Sequence, residues 1–227
     1  MKTSSVDRFI LASALAFSIC FGLVVQVSAQ SSVDLPINVL QIRGSARYSS
    51  NGHKWQTVKK GALLSPGVVI QTAGSSTVDL RLGDGESGFG SELQLAPDSA
   101  LAINRLNSER TNGGVAFATE MNLLAGQITC RVGKWGSGSR YEIQFPTGVA
   151  GARGGDTVCR ISASGLTDVT AGQVVVVVST AQGSMLIKGV SAGQRFDPAT
   201  GAVGDTTGTP AGFASPPAAQ ANPIARP

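Results

Sequence analysis

The sequence predicts an all-β fold: one domain of many short strands, built as a β-sandwich or a flattened, solenoid-like β-roll. Three observations carry this. Apolar residues recur with a period of two, as in Val78, Leu80 and Leu82 alternating with Asp79 and Arg81, and again at Leu93/Leu95, Leu101/Ile103, Met121/Leu123, Ile128/Cys130/Val132 and Tyr141/Ile143/Phe145. A strand with one buried face requires that period. The chain holds 29 glycines and 10 prolines against 14% charged residues, which suits frequent turns better than long solvated helices. A turn device also recurs, as Ala125-Gly126-Gln127, Ala171-Gly172-Gln173 and Ala192-Gly193-Gln194, with Ser65-Pro66-Gly67-Val68 of similar shape. Its spacing is unequal, so it marks successive coils rather than a counted repeat.

Residues 1–29 form an export signal: Lys2 and Arg8, an apolar run from Phe9 to Val27, then Val27-Ser28-Ala29 before Gln30. Cleavage is expected after Ala29 because a polar Gln-Ser-Ser follows. An uncleaved membrane anchor is the alternative, since the run approaches the ~20 residues that span a bilayer. The membrane is a partner only in that second case. The folded part is therefore expected in the periplasm or outside the cell. Residues 30–37 read as a short linker, 38–197 as the β domain, and 198–227, rich in Ala, Gly, Thr and Pro, as a disordered tail that buries too little apolar surface to order itself.

Within the domain, Asn51-Gly52 between Ala46–Ser49 and His53–Val58 is a hairpin signal. Residues 99–110 are long enough for a helix, but Leu101, Ile103 and Leu106 hold no 3.6-residue stripe, so a strand is expected. The five valines Val174 to Val178 suit a strand covered on both faces, and at an open edge they would invite aggregation. No helix of three or more turns is expected after residue 38.

The stretch Phe145 to Ile161 places Gly148, Gly151, Gly154 and Gly155 around Arg153 and before Asp156. Glycine admits positive φ and close backbone approach, so this reads as a tight structural turn where two strands cross. A phosphate-binding loop needs Lys and Ser or Thr after its last glycine, and a dinucleotide fingerprint needs G-x-G-x-x-G; neither is present.

Taken together, Gly61 to Gly67 leading into Ile70 to Leu80, then Leu82-Gly83-Asp84-Gly85, the glycine-arginine turn, Thr170 to Val174 and Ala192-Gly193-Gln194 resemble the FecR domain, a bacterial envelope module. The resemblance spans about residues 61–196 and implies an all-β envelope domain. Where the family usually has R-G-T, this chain has Arg153-Gly154-Gly155-Asp156, so the threonine hydroxyl is missing. Regulators of the family also carry a cytoplasmic segment that engages a sigma factor. Met1 to Arg8 is too short for such an interface, which needs ~800 Å² per partner, and direct sigma-factor inhibition is not expected.

Candidate chemistry is sparse. His53 is the single histidine, in a hairpin, and Asp84 and Glu86 lack the spaced acids of a calcium loop, so no catalytic residue, metal or cofactor is expected. Removing Lys2, Arg8 and Asp7 with the signal takes the formal net charge from +4 to +3, too little to argue for nucleic acid. Trp135, between Gly133 and Gly136, is a candidate ligand contact that can stack on a sugar or a partner protein; folding back over the sheet is the alternative. Cys130 and Cys159 are a candidate disulfide, permitted in an oxidising compartment, or else two small buried hydrophobes. The expected function is non-enzymatic binding, within an envelope sensing system, of a protein or polysaccharide of the cell envelope. The alternative is a secreted carbohydrate-associated or structural β-roll.

Overall fold

The computed structural model describes residues 32–50, 52–83, 90–133, 136, 138–152, 156–180 and 183–206. The expected export signal, Asn51, Asp84, Glu86, Trp135, Arg153 to Gly155 and everything beyond Thr206 lie outside the described residues. Residues 1–31 separate from the compact unit that begins at Ser32, and the description that follows concerns that unit.

All regular structure among the described residues is strand. In chain order these are β1 (Ser32–Asp34), β2 (Ile37–Arg43), β3 (Ala46–Ser49), β4 (Gln56–Thr57), β5 (Leu63–Leu64), β6 (Val68–Thr72), β7 (Thr77–Leu82), β8 (Ser91–Leu95), β9 (Ala100–Thr111) and β10 (Gly114–Ala125). They continue as β11 (Gln127–Val132), β12 (Arg140–Phe145), β13 (Gly148–Ala152), β14 (Thr157–Ser162), β15 (Thr167–Ala171), β16 (Gln173–Ser179), β17 (Met185–Ser191), β18 (Gln194–Asp197) and β19 (Ala202–Asp205). The first sheet has the order β17-β16-β13-β12-β10-β9-β6-β3-β4, with β1 on β9; the second has β19-β18-β15-β14-β11-β8-β7-β2-β5. The two orders run side by side, so the chain advances from the β2 end to the β19 end while exchanging sheets. Neighbours are antiparallel except β10 and β12, which are parallel because β11 between them belongs to the other sheet.

The period-two sets face inward as expected. Val78, Leu80, Leu82, Leu95, Leu101, Ile103, Met121, Ile128 and Val132 are fully buried between the sheets. The odd spacing from Ile103 to Leu106 has a local cause: pairing with β10 runs from Arg105↔Glu120 to Ile103↔Met121, so Asn104 is an extra residue. This bulge shifts the inward parity by one and keeps both Ile103 and Leu106 buried in one strand.

The recurring glycines sit where the chain changes sheets. Gly44, Gly67, Gly126, Gly172 and Gly193 each join a strand of one sheet to a strand of the other, and each has a positive φ, from 73° to 86°. Three are packed against a hydroxyl of the adjoining coil: a Cβ would come within 2.3 Å of Ser76 Oγ at Gly44, 2.2 Å of Ser99 Oγ at Gly126 and 2.4 Å of Thr157 Oγ1 at Gly172. Opposite two of these short corners stand four-residue corners at 73–76 and 96–99. Both put a left-handed residue third, Ser75 (φ 57°) and Asp98 (φ 53°), and a serine fourth. Ser76 Oγ accepts from the Ser45 N–H at 3.0 Å, and Ser99 Oγ accepts from the Gln127 N–H at 3.0 Å. Thr72 Oγ1 ties two coils together, donating to Ala96 O at 2.6 Å and accepting from the Ser99 N–H at 2.9 Å.

Several boundaries differ from expectation. Strand structure begins before residue 38 and continues past 197, because Leu35 and Ile37 are buried and β19 pairs with β18. The hairpin after Ser49 returns as only two residues, Gln56–Thr57, while the Arg47 guanidinium lies 4.5 Å from the Trp55 ring centre. The first half of the glycine stretch is not a turn: Gly148–Ala152 is β13, paired with β12 and β16. There the close approach is specific, since a Cβ on Gly148 would lie 2.1 Å from Val177 O. The valine strand β16 lies inside the sheet, but only Val174, Val176 and Val178 are buried. Val175 and Val177 face outward, half-buried.

Gly148→Ala is expected to destabilise the fold by about 1–3 kcal/mol through overpacking. Gly204→Ala, where nothing lies within 4 Å and φ is not positive, is expected to stay within about 0.5 kcal/mol. Urea midpoints of the two variants check this.

Candidate functional site

The outward face of β12, β13 and β16 carries a groove of about 460 Å³ that includes Arg140, Glu142, Val149, Gly151, Val175 and Val177. Strand register explains its shape. One cross-strand row reads Glu142, Gly151, Val175, Gly189, and the next reads Gln144, Val149, Val177, Ile187. Two glycines in the first row leave its floor low, and the valines and Ile187 make the neighbouring row apolar. Ile187 is 66% exposed and Met185 on the same strand 70%. On the other side the groove meets charge: Glu142 stands opposite Glu120, Arg140 Nε lies 3.4 Å from Glu142, and Arg105 lies 3.1 Å from Glu120. Each like-charged carboxylate thus has its own arginine. The arrangement suits an apolar side chain with a polar neighbour rather than a reacting group.

Of the glycine motif, Gly148 and Gly151 are strand residues beside this groove, and Asp156 is an exposed residue just before β14. Arg153, Gly154, Gly155 and Trp135 lie outside the described residues. His53 is exposed in the loop before β4. Among the described residues, no three His, Cys, Asp or Glu side chains gather where a metal ion could be held.

The structure brings the two cysteines together. Cys130 of β11 and Cys159 of β14 are directly opposed, buried and present as free thiols. Directly opposed residues of an antiparallel pair have Cα atoms about 4.5–5.5 Å apart, within the range a disulfide spans. From the facing sheet Tyr141, fully buried, reaches the same point: burial, and then the Cys130 thiol beside it, push the phenol well above its usual range. A hydrogen bond with Cys130, followed by burial, raises Cys159 likewise.

A third cluster carried no signal in the sequence. Asp168 of β15 stands in register between Arg160 of β14 and Arg195 of β18. Arg195 holds it with both Nε and a terminal nitrogen, and Arg160 Nε lies 4.0 Å away. The three residues are scattered along the chain, so only the register assembles them.

Protein recovered from an oxidising compartment, unfolded without reduction and alkylated, is expected to show no free thiol at Cys130 and Cys159. Closing this loop of about 30 residues is worth roughly 3–4 kcal/mol in the chain-entropy model. Two alkylated thiols per chain would mean the pair stays reduced. The reduced form carries a pH signature. Its thiol holds a proton more tightly folded than unfolded, so stability is complete below the ordinary thiol value of about 8.5 and falls as pH rises above it. Urea midpoints of the reduced protein at neutral and alkaline pH check this.

The family described as FecR protein matches residues 68–187, from β6 into β17. No curated protein matches the chain. The matched segment contains the serine-glycine corners at 99 and 126, the cysteine pair and all of β12 to β16. As the match covers more than half of the chain, the protein belongs to the FecR family, a family of the bacterial envelope linked to sensing and signalling.

Proposed function

We propose that this chain is an exported, non-catalytic binding module of the bacterial cell envelope, and that it works by seating a partner protein on the outward face of β12, β13 and β16. The observation that supports this reading most is the pair of cross-strand rows that bring Gly151, Val149, Val175 and Val177 together on the outside of the sandwich. An antiparallel sheet with one face in water normally alternates apolar-in and polar-out. Here the valines of β13 and β16 break that alternation, and an outward valine cluster in a groove rimmed by Arg140 and Glu142 is the form such a departure takes at a protein-binding site. The carbohydrate-binding alternative rests on Trp135, outside the described residues.

The test has two parts. The amino terminus of the envelope-fraction protein, read by mass spectrometry, is expected at Gln30; an intact Met1 in the cytosol would contradict export. Affinity capture from the native envelope, run with the wild type and with Val177→Asp, is expected to retain a partner with the first and to lose most of it with the second. Equal retention by both, with unchanged dichroism, would place binding elsewhere.

A further inference from the structure

The edge of the first sheet at β17 is open. Ala192 N–H donates to Gly172 O at 3.1 Å, and Thr180 N–H to Ser184 O at 2.8 Å. With the register that pairs Val174 with Val190 and Val178 with Leu186, these bonds fix the ladder. Leu186, Lys188 and Val190 bond to β16, and the backbone groups of Met185, Ile187 and Gly189 point away from it. Among the described residues, no hydrogen bond reaches the N–H of Met185, Ile187 or Gly189. Ser191 N–H donates to Gln194 Oε1 at 3.0 Å, so the open run ends at Gly189. The other outermost strands are shorter, with two residues each in β4 and β5 and four in β19. An unpaired edge on a seven-residue strand, with Met185 and Ile187 exposed along it, is a template for another strand.

What fits the template is set by its neighbours. β19 flanks the edge on its core side: a Cβ on Gly201 would stand 2.9 Å from Leu186 Cδ2, and Thr206 N–H donates to Gly193 O at 2.8 Å past the other end. A second copy paired edge to edge would bring its own β19 onto this one. A lone extended segment takes only the next strand position, about 4.8 Å out, and leaves β19 where it is. We propose that β17 binds an extended segment of a partner protein, added antiparallel as the next strand of the first sheet, and that Lys188 selects a segment with an acidic residue at its centre.

The register names the chemistry of that segment. Lys188 sits midway along the open run on the inward parity, half-buried, and among the described residues it makes no ion pair. A carboxylate directly opposite pairs with it, whereas a lysine there repels it. Opposite Gly189 no side chain stands in the way, so a large aromatic ring can lie across it. Opposite Ile187 and Met185, on the outward side, β-branched residues pack best. Read along the segment, the order is aromatic, acidic, β-branched, then a second β-branched residue two places on. The edge shares no residue with the groove of the outward face, so a strand bound here is a property separate from that groove.

The probe is a capped peptide, Thr-Phe-Glu-Val-Thr-Val, whose phenylalanine, glutamate and first valine fall opposite Gly189, Lys188 and Ile187. Nuclear magnetic resonance of the full chain, as recovered from the envelope fraction, reads the binding. Without peptide, at two protein concentrations about tenfold apart, the Ile187 and Gly189 amides are expected to exchange as exposed amides do. Millimolar peptide is expected to slow both by about tenfold or more, while the Val174 to Val178 amides stay protected throughout. Proline in place of the first valine removes the N–H that meets Ile187 O, and is expected to abolish the effect. Lysine in place of the glutamate is expected to weaken binding about threefold or more, and Lys188→Glu to reverse that preference. Protection of Ile187 and Gly189 without peptide would overturn the proposal: equal at both concentrations, it would put the chain's own segment on the edge, and growing with concentration, a second copy. Unchanged exchange with the peptide would overturn strand binding, and equal affinity for the glutamate and lysine peptides would overturn selection by Lys188.

Discussion

A chain that passes between two sheets every one or two strands must turn at the rim of the sandwich without leaving backbone groups dry. At three corners, Gly44, Gly126 and Gly172, it does so by setting a left-handed glycine against a serine or threonine hydroxyl of the adjoining coil. The hydroxyl is small enough to enter the space a Cβ would fill, and it bonds the backbone that the turn leaves unpaired. The coils are linked rim to rim in this way: Ser76 to the Gly44 corner, Thr72 to Ser99, and Ser99 to Gln127. Register in the strands that flank these corners is fixed there, and a one-residue slip would turn a whole inward set to solvent. Burial of Val78, Leu80 and Leu82 thus depends on where Gly44 and Ser76 meet.

The period-two pattern and the Ala-Gly-Gln device made the fold class legible, because both are local: alternation needs only neighbours along one strand, and positive φ needs only glycine. What could not be read was whatever depends on pairing across the sheet. The bulge at Asn104 shows in the sequence as a broken spacing from Ile103 to Leu106, but only the partner strand identifies its cause. Gly148 looks like a turn glycine and is a strand glycine, because the backbone that needs the space is Val177, far along the chain. Asp168 is unremarkable beside Thr167 and Val169 until register sets it between two arginines. The cysteines could be proposed as a pair from their faces, whereas their direct opposition is a property of the β11–β14 register.

Function lies on the outside of this frame. The inner faces of both sheets are occupied by the core, so recognition is left to outward side chains. Among these, β13 and β16 place glycine and valine together in adjacent cross-strand rows.

The central claim is that hydroxyl-packed corners set the register, and the single changes Thr72→Val and Ser99→Ala measure it most directly, because Thr72 Oγ1 accepts from the Ser99 N–H at 2.9 Å and Ser99 Oγ accepts from the Gln127 N–H at 3.0 Å. Each change is expected to cost about 1–3 kcal/mol in urea unfolding, since each leaves a backbone N–H without its partner. Two changes that each cost less than about 0.5 kcal/mol would contradict the account.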